Sequence, residues 1–271
     1  MVGPGYGRLA SGAVGAGRLA PPEEILGRLR QVLGREGPLR GRRVVVTAGG
    51  TQEPLDPVRF LGTPSSGKMG YALAQAAIDR GAEVTLVTGP TALRPPVGSR
   101  VEAVRTALEM RDAVLAATGE AEVLLMAAAV ADFRPAQPLA EKIKKEEVGR
   151  LALALEHNPD ILLEVAGRRA KGGGPAVVVG FAAETHDLLA QARDKLQRKA
   201  LDLIVANDVS SPDSGFGVDT NRATLLGADG TVEALPLLSK AELAERVLER
   251  VVELLERKGA RYGSQAPQGD H

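Results

Sequence analysis

A chain of 271 residues that is 44% hydrophobic and 25% charged holds enough apolar material for one large α/β domain or two small ones, and too much for a disordered polymer. Its 34 Lys and Arg balance its 34 Asp and Glu, which argues against wholesale nucleic-acid binding. With no Cys and 3 His, it is excluded from disulfides, thiolate zinc sites, Fe–S clusters and Cys nucleophiles, and a His-built metal centre is not expected.

Residues 1–40 read as a separate piece. The first twenty are rich in Gly and Ala with little periodicity. A short amphipathic helix follows over 23–33, with Ile25, Leu26, Leu29 and Leu33 on one side and Gly34, Gly37 and Pro38 as stops. From residue 41 the pattern changes. A β-branched strand over 43–47 runs into Gly49 and Gly50, and a long loop over 52–64 holds Pro54, Pro57 and Pro64. A helix from Ser65 to Arg80, closed by Gly81, and a strand over 83–88 complete a β-α-β unit. Helix 106–117, strand 123–127, helix 158–169, strand 176–181, helix 185–199 and strand 203–207 follow. Asn158 is expected as an N-cap with Pro159 in the first turn, and Ser239 with Glu242 as a capping box for a last helix stopped by Gly259. Segments 222–226 and 232–235 flank Ala228-Asp229-Gly230 as a hairpin.

Several strands are apolar on both faces, as a doubly covered sheet requires. The predicted fold is a doubly wound, mostly parallel, Rossmann-like α/β sheet with helices on both faces and a C-terminal β-hairpin, spanning 41–258, with a disordered tail over 259–271. A ligand should sit at the carboxyl ends of the strands. The longest apolar run, 123–131, is about half of a membrane span, and no signal-peptide core is visible, so a cytoplasmic protein without membrane partners is expected.

Four stretches could carry chemistry. Gly49 and Gly50 let backbone approach a phosphate or simply make a tight turn. No acid closes the second strand, which counts against a nicotinamide dinucleotide. Ser65, Ser66, Gly67 and Lys68 open a helix, where free N–H groups, hydroxyls and an ammonium favour an anion, or where they merely cap it. Met126, Ala127 and Ala128 end a buried strand with small residues, leaving backbone groups open to a flat ring, and Asp132 follows; close helix–sheet packing is the alternative. Lys142, Lys144 and Lys145 form one basic group and Arg193, Lys195, Arg198 and Lys199 another, fit for phosphates or for water.

Together TAGGTQEPLDPVRF, PSSGKMGYALAQAA, AAAVADFRP, EKIKK, HNPDIL, VGFAAET and LDLIVANDVS resemble the phosphopantothenate–cysteine ligase family of coenzyme A biosynthesis, over about residues 41–256. Residues 9–19 look like the last segment of the flavin-dependent phosphopantothenoylcysteine decarboxylase, which precedes the ligase on one polypeptide in many bacteria. Ser11 stands where that family has a Cys proton donor, so neither decarboxylase activity nor bound flavin is expected.

The resemblance implies that CTP, carrying Mg2+ on its triphosphate, activates 4′-phosphopantothenate as an acyl-cytidylate, which L-cysteine then attacks. By motif, Met126, Ala127 and Ala128 would receive cytosine. Asp132 and Phe181 would hold the nucleoside, and Ser65, Ser66 and Gly67 would face phosphates. Lys142 would lie at the reacting phosphate, and Pro159, Asp160, Ile161, Leu162, Lys195 and Lys199 would complete the nucleotide site. Arg59 would serve the pantothenate side or the intermediate. Thr63 replaces an Asn thought to clamp the intermediate, and Gln52 replaces an Arg found in many members. Family members are dimers whose flap, here within 136–150, closes over the partner's site. The alternatives are a nicotinamide-dependent oxidoreductase and a non-catalytic nucleotide-binding module.

Overall fold

The structure, a computed structural model, describes residues 2–144, 151–184, 188–208 and 217–263. An antiparallel hairpin of β1 (Gly5–Arg8) and β2 (Val14–Arg18) leads into α1 (Pro22–Gly34). Then come β3 (Arg43–Ala48), the short antiparallel pair β4 (Gln52–Pro54) and β5 (Phe60–Gly62), α2 (Lys68–Ile78), β6 (Glu83–Thr88), β7 (Arg100–Ala103) and α3 (Ala107–Ala117). The chain continues through β8 (Val123–Met126), a second short pair of β9 (Phe133–Pro135) and β10 (Leu155–His157), α4 (Ile161–Ala170), β11 (Val177–Glu184) and α5 (Leu188–Arg198). It ends with β12 (Leu203–Asp208), β13 (Thr220–Gly227), β14 (Val232–Ser239) and α6 (Lys240–Gly263).

The main sheet has the order β14-β13-β12-β11-β8-β3-β6-β7. Its strands from β12 to β7 are parallel, and β13 and β14 join antiparallel, so the expected doubly wound sheet with a C-terminal hairpin is present. Strand period two sends alternate residues to opposite faces. Val44, Val46, Leu125 and Val179 pack with Leu73, Ala77, Leu243 and Val247 of α2 and α6. Val45, Leu124, Met126 and Val178 pack with Met110 and Val114 of α3, Ile161 of α4 and Leu196 of α5. These two dry layers hold the strand ends rigidly, so their carboxyl edge can position a ligand.

Several expectations are corrected. The glycine-rich start is paired as β1–β2, closed by Leu9 N–H to the Ala13 carbonyl at 2.8 Å and by Gly12 with φ 84°. Helix α1 does not seat its leucines: Leu26, Leu29 and Leu33 are exposed, and the buried residues are Gly27 and Gly34. A Cβ on Gly34 would lie 2.5 Å from the Asp79 carbonyl oxygen, so the missing side chain is what allows this approach. The proline-bearing loop contains β4 and β5. Asp160, not Asn158, is the N-cap of α4, accepting from Leu163 N–H at 3.3 Å. Asn158 is instead a strut, donating from Nδ2 to the Ala131 carbonyl at 2.8 Å. Gly259 does not stop α6, which runs to Gly263. The expected Ser239–Glu242 capping box is present, with Glu242 N–H to Ser239 Oγ at 3.2 Å and Ser239 N–H to Glu242 Oε2 at 2.8 Å. The Thr185 start of the fifth helix, Lys145 and the tail beyond 263 lie outside the described residues. No described helix is long and apolar enough to cross a membrane.

Candidate active site

A cavity of about 570 Å³ opens at the carboxyl edge of β8, β11 and β12. One wall is the entry to α2. Gly67, with φ 76°, is its N-cap and supplies no side-chain bond, so the first amides of the helix carry no capping group. The helix start is pressed onto the end of β3 because residue 70 is Gly: a Cβ there would lie 2.5 Å from Ala48 Cβ and 2.6 Å from the Thr47 carbonyl oxygen. Thr91 Oγ1 donates to the Ser66 carbonyl at 3.0 Å and fixes the loop before it. Ser65, Ser66, Gly67 and Lys68 all line the cavity, as does Thr63. The geometry suits an anion, because uncapped N–H groups and the helix dipole act in the same direction.

The floor is the stretch from Met126 to Asp132. Its conformation is braced from β3 and the turn that follows it. Thr47 Oγ1 accepts from Ala128 N–H at 3.0 Å and Thr51 Oγ1 accepts from Ala131 N–H at 3.0 Å. Ala129 N–H donates to the Gly49 carbonyl at 2.8 Å. These three amides are therefore spent inside the protein, which narrows the expectation that the whole stretch is open to a ligand. What the floor offers is a lining made mainly of alanines, Ala127, Ala128, Ala129 and Ala131.

The opposite wall comes from Pro159, Asp160, Ile161 and Leu162 at the start of α4, with Lys195 from α5 and Lys199 just after it. Lys199 Nζ lies 2.9 Å from Asp160 Oδ2. Arg134 Nη1 donates to the His157 carbonyl and to Asn158 Oδ1, both at 2.9 Å, and sets the path of this wall. Phe181 closes the side towards β11.

At the far end sit His157, Asn221 and Lys240, which the sequence reading did not single out for the site, beside Asn207 at the carboxyl end of a predicted strand, where a ligand is expected. Asn221 is 3% exposed and donates from Nδ2 to Asn207 Oδ1 at 3.1 Å, while its own Oδ1 has no hydrogen-bond partner among the described residues. Lys240, 8% exposed, donates to the Val218 carbonyl. Burial, together with the charge of Lys68, holds its ammonium below the ordinary lysine range, and Asp219 opposes the shift. Lys68 Nζ is engaged by Asp219 Oδ1 at 2.6 Å and by the Gly217 carbonyl at 3.3 Å. Nothing in the sequence flagged Lys240, because its neighbour Ser239 already explained the segment as a helix cap.

Four of the candidate residues do not line the cavity. Gly49 and Gly50 pack loop against loop: a Cβ on Gly50 would lie 2.6 Å from the Thr63 carbonyl oxygen, and one on Gly49 2.9 Å from that of Gly89. Arg59 and Lys142 belong to a small layer built on the β4–β5 pair. There the buried Asp56 carboxylate accepts from Val58 N–H at 2.8 Å, Arg59 N–H at 2.7 Å and Ile143 N–H at 3.2 Å. Burial alone would raise the Asp56 carboxyl; the three N–H donors and the Arg59 charge outweigh it and hold it below the usual carboxylate range. No cluster of three His, Asp or Glu able to hold a metal ion occurs among the described residues.

This combination of a Rossmann-like edge, an uncapped helix entry and a ring of lysines can be set beside known proteins. Residues 39–255 match the family described as the DNA/pantothenate metabolism flavoprotein C-terminal domain. The chain belongs to this family. As a member of the pantothenate metabolism flavoprotein C-terminal domain family, it is 43% identical over 264 residues to the coenzyme A biosynthesis bifunctional protein CoaBC of Bacillus subtilis (strain 168). That match covers 96% of this chain and 64% of the relative, so the chain spans less than two thirds of the relative's length. A crystal structure of the C-terminal domain of a CoaBC superposes with a TM-score of 0.69 at 38% identity, covering 82% of this chain and 99% of that one. A mutant of Cab2 in complex with phosphopantothenate-cysteine shares the fold, with a TM-score of 0.63 at 17% identity, over 88% of this chain and 93% of that one.

Proposed function

We propose that this chain is a phosphopantothenate–cysteine ligase, joining 4′-phosphopantothenate to L-cysteine at the expense of CTP. The observation that carries the reading is the convergence on one cavity of the uncapped α2 entry, the alanine floor and Lys195 and Lys199. That set fits a nucleoside polyphosphate, and the family relationship to the C-terminal part of CoaBC supports the same chemistry. The nicotinamide-dependent alternative is not favoured, since β6 ends in Thr88 followed by Gly89 and no carboxylate stands there for a ribose.

In the proposed reaction an oxygen of the pantothenate carboxylate attacks the α-phosphorus of CTP. The bond to the β-phosphate oxygen breaks, and pyrophosphate leaves with the pair of electrons. The cysteine amine then attacks the acyl carbon of the acyl-cytidylate, CMP departs, and the amine proton passes to solvent. No protein nucleophile is needed. The protein contributes positioning and fixed positive charge where the phosphates carry negative charge. The α2 amides with Ser65 and Ser66 would hold phosphate oxygens, Lys195 and Lys199 would neutralise them, and Phe181 with the alanine floor would receive the nucleoside. Mg2+ would enter on the triphosphate of the substrate.

Lys142 and Arg59 would act from a neighbouring copy. Their layer exposes Val58, Phe60, Phe133, Leu139 and Leu155, an apolar set suited to a twofold partner, and a homodimer would bring the lysine segment over the other copy's cavity. The place of work would be the cytoplasm.

Pyrophosphate release from CTP tests the reading. Release should require phosphopantothenate, and CMP with the amide product should appear only when cysteine is added. CTP binding without release would favour the non-catalytic module.

A further inference from the structure

Resting on that ligase reading, we propose that Asp56 is a positioning residue for Lys142: its buried carboxylate ties the lysine-bearing segment to the turn that carries Arg59. Lys142 is exposed and lies outside any helix or strand, so its own side chain does not fix it. The next residue is held on both backbone groups. Ile143 N–H donates to Asp56 Oδ2 at 3.2 Å, and the Ile143 carbonyl accepts from Arg59 Nη2 at 3.0 Å. Arg59 Nη1 in turn lies 3.6 Å from Asp56 Oδ2, and Asp56 Oδ1 accepts from Val58 and Arg59 N–H. Three residues before Lys142, Leu139 N–H donates to the Leu55 carbonyl at 2.9 Å. Lys142 is thus bracketed by two attachments to one turn.

The carboxylate is suited to this work because it only accepts hydrogen bonds, and donors approach both of its oxygens. Asparagine is nearly the same shape but must turn an NH2 group towards one set of those donors. With Oδ1 kept for Val58 and Arg59, the NH2 would face Ile143 N–H, and the tie to the lysine segment would be the bond lost. A small displacement there is carried to the end of a long side chain, where misplacement by about 1 Å costs about 100-fold in rate.

The test compares the full chain with Asp56→Asn, Asp56→Glu and Ile143→Pro, the last removing the same hydrogen bond from its other end. Two readouts are taken: amide hydrogen exchange at Leu139 and Ile143, and steady-state pyrophosphate release with CTP and phosphopantothenate. In Asp56→Asn, Ile143 exchange should rise at least about tenfold, and kcat should fall about 10- to 100-fold with the KM for CTP unchanged. Ile143→Pro should show the same kcat loss, and Asp56→Glu should recover part of it. Unchanged Ile143 exchange, an unchanged kcat, or a loss residing in KM would overturn the proposal. A wild-type chain that binds CTP but releases no pyrophosphate overturns the ligase reading itself, and with it the role of Lys142; that result is distinct from a failed tie in an active enzyme.

Discussion

Asp160 serves two elements with one carboxylate: Oδ1 caps α4 at Leu163 N–H, and Oδ2 holds Lys199, at the end of α5, at 2.9 Å. The cap belongs to the fold, whereas the ion pair belongs to the cavity wall.

The two duties separate by substitution. Asp160→Ala should cost about 1 kcal/mol of stability through the lost cap, whereas Asp160→Asn should cost a few tenths, since Asn caps as well. Both release Lys199 and should raise its attraction for phosphate. Denaturant unfolding of the three proteins checks the first point and calorimetric titration with CTP the second; equal unfolding midpoints for Ala and wild type would show that the cap is idle.

Lys240 gives the site a pH dependence. Its ammonium is held below the ordinary lysine range by burial and by Lys68. As pH rises it therefore loses its proton before an exposed lysine does, and a positive charge leaves the cavity while the phosphates stay ionised. CTP affinity should fall on the alkaline side beginning below the ordinary lysine value of about 10.4. Lys240→Met should bind CTP more weakly at neutral pH and lose that early alkaline decline. Titrations across the range settle it, and an identical alkaline limb in the variant would count against the assignment.

Lys142→Ala should abolish turnover while leaving the melting temperature within about a degree or two, because an exposed lysine outside regular structure contributes little stability. Activity assays beside thermal unfolding read both. Wild-type rates, or a collapsed fold, would remove Lys142 from the reaction.

Thr63 lines the cavity next to the Ser65–Lys68 helix entry. Thr63→Asn adds an amide that can donate and accept, so the cysteine-dependent step should proceed as fast or faster, as read by CMP formation in single-turnover experiments. A block of that step alone would show that this position does not clamp the intermediate.

How legible the molecule was depends on where each signal resides. The β-branched run at Val44–Val46 and the strand Glu83–Thr88 carry their own local signal, and both were readable. The β1–β2 hairpin was not, because Gly5, Gly7, Gly15 and Gly17 alternate where strand side chains would show the period. Helix α1 misled through its leucines: the sequence shows which residues are apolar, but the contact is made by Gly27 and Gly34, whose value lies in having no side chain. Within the site, the helix entry at Ser65–Lys68 and the small-residue strand end were visible as patterns. Asn221 and Lys240 were invisible because they enter from β13 and α6, which only the antiparallel extension of the sheet brings alongside β12.

The bracing of the cavity floor by Thr47 and Thr51 has an evolutionary consequence. On the proposed reading the nucleoside lies on a floor set by the hydroxyls of Thr47 on β3 and Thr51 just after it and lined mainly by alanines, so it contains few side chains through which a different base could be chosen. A lineage that switched nucleotide would have to rebuild main chain, by insertion or by sliding one strand past another. For the same reason, an inhibitor shaped to this floor would leave a resistant mutant little to change.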